Sequence, residues 1–339
     1  MDSSAASAYV YAKAGGMLAK SFVGKNASRL FSVKSLRDLY SLLFSGETPS
    51  APEMLLSKEI ESRCESRFLS QYVDLIKNFT NPADVLLALL NFYEYDNLKE
   101  VGAALSLGEI SLPHILDIKE YSKLNYKAWP NIKKITADSP VSWYNEIPRV
   151  SELQDYDSKL DVQYIRELWR AVQKLSGDER VEVSKLVKAD VSVRNILWVL
   201  RLKVYYDMPS DEIVSRLAFA DDSKKKNDVL AKDALDILEK DVSSYDDWKD
   251  WRYSRHLNPH EDGTVWKIDP AWVEKSFKVE LDKMAVSAFH KSPMSVLSIV
   301  SWFKIKQSEL DMIRAVAEGL RLDLDSEKLM SAAGYSELR

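Results

Sequence analysis

A chain of 339 residues with 46% hydrophobic side chains can bury one elaborate core or roughly two to three smaller ones. Its formal charge of −5, spread over 47 basic and 52 acidic residues, makes no field that would concentrate DNA or RNA, so no nucleic-acid partner is expected. The single cysteine, Cys64, excludes an internal disulfide framework and a cysteine-rich zinc site, while ten Gly and eleven Pro beside 29% charged residues favour helices over strands.

In chain order, Lys13, Lys20 and Lys25 interrupt the N-terminal apolar stretches, so no signal peptide is expected. Over 32–46, Leu36, Leu39, Tyr40, Leu43 and Phe44 recur on one helical face, with Ser32 placed to cap the start and Gly46 the end. Thr48-Pro49-Ser50-Ala51-Pro52 breaks that pattern. A second helix, carrying Phe68, Leu69, Tyr72, Val73 and Ile76, is expected to pack antiparallel to the first. Asn81-Pro82-Ala83-Asp84 combines a capping residue, a first-turn proline and a negative charge suited to the helix dipole, and predicts a helix through Phe92 or beyond. The stretches 126–148 and 245–270 are rich in Trp, Pro, Asn and Asp and are read as irregular connectors. They divide the chain into three helical subdomains, 1–125, 126–245 and 246–339. The strongest apolar runs, 86–90 and 296–303, fall far short of the roughly 20 residues needed to cross a bilayer.

Three segments share a register: Glu94-Tyr95-Asp96-Asn97-Leu98-Lys99, Ser192-Val193-Arg194-Asn195-Ile196-Leu197 and Glu309-Leu310-Asp311-Met312-Ile313-Arg314. With Asn97, Asn195 and Met312 taken as equivalent, Val85, Val183 and Val300 precede them by the same interval. Leu98/Val101/Ile115, Ile196/Val199/Ile213 and Ile313/Val316/Met330 follow in step. Each signature is read as leading into a new helix start, at Ser111-Leu112-Pro113, Pro209-Ser210-Asp211-Glu212 and Asp325-Ser326-Glu327. Copies lie about 98 and 117 positions apart, too far for helical arrays whose period is roughly 34–47 residues. Within the signatures, Asn97, Asn195 and Arg194 are expected to satisfy neighbouring polar groups on packed helices.

At these segments, above all Glu309 to Arg314 followed by Glu318-Gly319-Leu320, and at the opening Tyr9-Val10-Tyr11-Ala12-Lys13-Ala14, the sequence resembles the C-type central-stalk subunit of V/A-type rotary ATPases. The eukaryotic relative of that family is the V-ATPase d subunit. The resemblance implies an all-α, funnel-like protein of three similar subdomains with no catalytic centre and no cofactor. It implies one copy per complex, seated between D- and F-type shaft subunits and the membrane rotor ring. Its place would be peripheral, on the cytoplasmic face, in ATP-linked proton or sodium transport. The signature residues Glu94, Asp96, Asn97, Arg194, Asn195, Glu309, Asp311 and Arg314 carry the resemblance; Ser192 and Met312 depart from the pattern. A general α-helical scaffold outside any rotary machine is the alternative.

The remaining chemistry is sparse. His256-Leu257-Asn258-Pro259-His260-Glu261 places two imidazoles four apart, but Pro259 interrupts the helix that would align them, so no metal is expected. No G-x-x-x-x-G-K-[ST] loop is present, which argues against ATP binding in the P-loop manner. The acid pairs Asp221-Asp222, Asp246-Asp247 and Glu261-Asp262 are read as solvated surface, and Lys224-Lys225-Lys226 as a soluble loop with anionic lipid as its alternative contact. Trp248 and Trp251, with Trp266 and Trp272 nearby, either pack a connector onto helices or anchor a partner.

Overall fold

Ser35, Asn131, Asp269, Ser295 and Asp325 each accept a first-turn amide at the start of a helix, whereas the helices that begin at Glu53, Asp84, Leu153, Gly177, Ser210, Lys232 and Tyr245 have no such side-chain cap. The computed structural model describes residues 3–261, 263–333 and 335, so Asp262 of the Glu261-Asp262 pair lies outside the described residues. It is 66% helical, with no strand among the described residues, and the protein is all-α. The helices are α1 (Ser3–Ala19), α2 (Leu36–Leu43), α3 (Glu53–Ile76), α4 (Asp84–Ser106), α5 (Ile132–Thr136), α6 (Leu153–Gln173) and α7 (Gly177–Tyr206). They continue as α8 (Ser210–Arg216), α9 (Lys232–Leu235), α10 (Tyr245–Trp248), α11 (Pro270–Lys291), α12 (Val296–Arg321) and α13 (Ser326–Ala332).

Several starts follow the sequence and others differ for local reasons. Pro209 precedes α8 and Asp325 caps α13, as the sequence predicts; Asp269 and Ser295, outside the expected starts, cap α11 and α12 through their side chains, and Pro270 opens α11. The cap of α2 is Ser35, not Ser32. Ser32 follows a 3-10 helix, Gly24–Phe31, and its hydroxyl is already donated to the Arg29 carbonyl. Ala83, not Asn81, precedes α4 and offers no side-chain cap, so the first-turn charge of Asp84 is what remains of that signal. Ser111-Leu112-Pro113 starts no helix; apart from a 3-10 turn at Lys119–Tyr121, the chain there is irregular.

The chain divides into two compact units: Met1–Thr80 with Ser243–Arg339, and Asn81–Val242. In the first, α12 packs against both α3 and α11 and also touches α1, α2 and α13. Its centre is aromatic. Phe68 of α3 stacks on Trp302 of α12 at 5.9 Å between ring centroids, and Tyr72 meets Phe303 edge-on at 4.7 Å. Buried Ala6, Val10 and Ala14, spaced four apart, are the inner stripe of α1.

In the second unit, α4 packs along α6, α6 along α7, and α7 carries α8 and α9. The connector 126–148 runs inside this unit and contains α5, while 245–270 begins just past the boundary at Val242. Most of the shared register is buried: Val85, Val183 and Val300 are fully buried, as are Leu98, Val101, Ile196, Val199 and Val316, with Ile313 all but so, whereas of the last position in each copy Ile213 is buried and Ile115 and Met330 are half-buried.

Close packing makes Gly102 of α4 necessary, because a Cβ there would overlap the hydroxyl of Tyr144, whose ring is fully buried. Ala is the better helix former by roughly 1 kcal/mol, but overpacking a rigid buried ring costs about 1–3 kcal/mol. Gly102→Ala is therefore expected to lower the unfolding free energy by about 1–2 kcal/mol in urea titration, whereas Gly16→Ala, facing open space in α1, raises it by up to about 1 kcal/mol.

Candidate functional site

A buried carboxamide carries the same donor and acceptor pair as one peptide unit, and α4 and α7 use it to grip the chain that follows them. Asn97 donates to the Leu116 carbonyl and accepts from the Leu116 amide, both at 2.8 Å. Asn195, fully buried, does the same with Ala218: it donates at 2.9 Å and accepts at 3.0 Å. Its amide also reaches the Leu230 carbonyl at 3.0 Å. The N–H and C=O of Leu116, which lies in the irregular chain after Ser111, are thus paired with Asn97 and not with a helix. In the third copy Met312 is buried on α12 and supplies packing without such a grip.

One turn earlier on each helix, Glu94, Ser192 and Glu309 repeat the theme with different chemistry. Glu94 Oε1 accepts from the Ser122 hydroxyl at 2.9 Å and from the Lys123 and Leu124 amides at 2.8 Å each. Ser192 points its hydroxyl at the Leu230 carbonyl, 3.5 Å away. Glu309 Oε1 accepts the Phe22 amide at 2.6 Å, while Oε2 pairs with Lys306, whose ammonium also donates to Ser21 Oγ at 2.9 Å. The shared register does not include Lys306, yet the sequence carries a signal for it. A Lys and a Glu three apart inside an otherwise apolar helix must face each other if that face is buried. Asp228 lies outside the register too; it receives the Ala220, Leu230 and Ala231 amides and fixes the turn that Asn195 holds.

The other signature residues stand nearer the surface. Lys99 bridges Asp96 at 3.1 Å and Asp161 of α6 at 2.7 Å. Asp311 lies 3.4 Å from Arg314 and 3.9 Å from Lys278, and Arg314 reaches Glu65 of α3. Arg194 is half-buried, and its charge is felt by Asp96 and Tyr164. Of the eight residues, five belong to the unit 81–242, while Glu309, Asp311 and Arg314 belong to the other.

Burial sets the electrostatics of these groups. Loss of water raises the pKa of Glu94 despite its three donors, because Oε2 of the same carboxylate is buried without a partner. Burial likewise raises Asp96, against the opposing charge of Lys99. Cys64, buried against Arg67, is pushed up to about 11, which keeps it a thiol at neutral pH.

The tryptophan connector turns inward. Trp248 is fully buried and Trp251 nearly so, meeting edge-on at 5.3 Å with Phe277 beyond. Both pack against neighbouring rings of this chain; of the four, Trp272 is the most open, at 38%. His256 is buried between Ser276 Oγ at 2.7 Å and Glu280 at 2.9 Å, and His260 stacks on Tyr245. Among the described residues no three His, Cys, Asp or Glu side chains gather as a metal site requires.

The protein is an all-helical one whose buried signature side chains hold its own backbone. The chain is a member of the ATP synthase (C/AC39) subunit family, whose model matches residues 7–332, and so is a V/A-type ATPase subunit that associates with other subunits of a rotary ATPase. It is also 31% identical over 313 residues, 92% of both chains, to an uncharacterized protein of Treponema pallidum (strain Nichols). Among the described residues no helix is long and apolar enough to cross a membrane.

Asn195→Leu leaves the Ala218 peptide unpaired in the core and is expected to cost about 1–3 kcal/mol of unfolding free energy, against under about 1.5 kcal/mol for Met312→Leu. The pH dependence of Glu94 has a definite sign. A pKa raised on folding means that its favourable contribution is complete below the ordinary carboxylate value of 4.5 and is lost as pH rises through the folded value. Glu94→Gln keeps the acceptor without the charge. Its stability relative to the natural chain should therefore improve between pH 4.5 and pH 8, as read from denaturation midpoints across that range.

Proposed function

We propose that this chain is the non-catalytic central-stalk adapter of its rotary ATPase. In this reading it joins D- and F-type shaft subunits to the membrane rotor ring, one copy per complex, on the cytoplasmic face, for ATP-linked proton or sodium transport. The three segments 1–125, 126–245 and 246–339 are its related subdomains. The family match over residues 7–332 carries the reading.

Two features of the molecule support it. Connectors that would otherwise flex are tied to long helices by buried polar groups, as a part that transmits torque requires. The segment after α4 also presents Leu107, Ile110 and Leu112 to solvent, Ile110 at 95%, while holding its backbone in place. The Trp129 indole donates to the Ile110 carbonyl at 3.0 Å, and Asn97 holds Leu116. A fixed loop with exposed apolar tips suits a protein partner.

Depleting the chain from the assembled enzyme is expected to leave ATP hydrolysis by the catalytic head running and to abolish hydrolysis-driven ion uptake into vesicles. Re-addition should restore uptake with a concentration dependence set by mass action. Full pumping without the chain, or ATP hydrolysis by the chain alone, overturns the adapter reading.

A further inference from the structure

A cleft of about 800 Å³ opens on the unit 81–242, a volume within the range of small-molecule sites. Its floor is the outer face of α6 from Asp155 to Arg170, where the lining residues recur at intervals of three and four and span about 22 Å. One wall is the connector at Pro140 and Trp143, and the other is the end of α8 with the turn that follows.

Both walls are fastened to the floor by polar contacts. Gln163 accepts from the Trp143 indole at 2.6 Å and donates to the Pro140 carbonyl at 2.9 Å. On the far side, Arg166 holds Asp222 at 2.5 Å and the Phe219 carbonyl at 3.3 Å, and Arg216 lies 3.5 Å from Asp155. The cleft is thus held open by the protein itself.

Those same contacts pair two of its three carboxylates with guanidinium groups. The lining carries five cationic side chains and three carboxylates. Asp155 and Asp222 are each paired to a guanidinium, and Glu167 is turned to the Tyr95 hydroxyl at 2.7 Å and to Asn91 and Gln163. Lys159, Arg170 and Lys224 have no ion-pair partner among the described residues; Lys159 lies over the Tyr156 and Trp143 rings. On a chain of net charge −5 this is a locally positive groove. Its α6 cations Lys159, Arg166 and Arg170 follow one another at about 10 and 6 Å along the helix. That ladder suits a linear anion with several charges better than a single phosphate.

We propose that this cleft binds a soluble polyphosphate, either free or as the phosphate chain of a nucleotide, through Lys159, Arg170 and Lys224 with Arg166 between them. Inorganic triphosphate and ATP, each without magnesium, titrated calorimetrically into the purified full-length chain, are expected to bind at one site. Lys159→Ala/Arg170→Ala should weaken binding at least tenfold and leave the thermal midpoint unchanged, because both side chains are outside the core. Lys133→Ala/Lys134→Ala, which removes the same charge from the exposed face of α5, should leave binding unchanged. Equal weakening by the two pairs, or no binding of either probe at millimolar concentration, overturns the proposal. Co-sedimentation with phosphatidylserine vesicles that depends on Lys159 and Arg170, without binding of free triphosphate, assigns the cleft to a lipid headgroup and overturns it as well.

Discussion

Every buried peptide must pair its N–H and C=O, and in an all-helical protein the peptides at risk are those of the connectors. A helix satisfies itself; the chain between helices does not. The long helices solve this by sending polar side chains into the connectors packed against them. Asn97 replaces a missing backbone partner for Leu116, Asn195 does so for Ala218, and Glu94 and Glu309 collect amides that no helix would have received. Removing such a group does more than delete one bond, since it strands the peptide it served in a medium without water.

The cost of that solution differs between copies. A neutral carboxamide is cheap to bury once all its groups are paired. A carboxylate is not: Glu94 has a raised pKa, and Glu309 is paired with Lys306 and takes the Phe22 amide. Where the other two signatures have Asn, α12 has Met312. In α12 the glutamate and its lysine already hold the Phe22 segment, and the apolar side chain fills space instead.

Much of this was legible in one sequence, for a physical reason. Helical periodicity is local, so the buried stripes of α2, α3, α4, α7 and α12 are written in spacing, and Val85, Val183 and Val300, each twelve positions before a signature residue, are all buried. Partner identity is not local. Asn97 and Asn195 could be read as structural, but the peptides they hold lie 19 and 23 residues on, in stretches with no periodicity of their own. The choice of Ser35 over Ser32 turned on a 3-10 helix that spacing does not announce. Trp248 and Trp251 were ambiguous because aromatic residues serve interfaces and cores equally well, and only their neighbours decide.

The carboxylate of Glu309 holds an amide 287 positions earlier, and the unit containing both is interrupted by all of 81–242. As the polypeptide leaves the ribosome, α1 to α3 therefore emerge without α11 and α12, the helices that cover them. The intervening unit has its full set of contacts first. Synthesis imposes an order, in which the inner unit closes while Phe68 and Tyr72 of α3 wait for Trp302 and Phe303. A nascent chain stalled before α12 exposes that aromatic face, and so presents the surface that chaperones recognise.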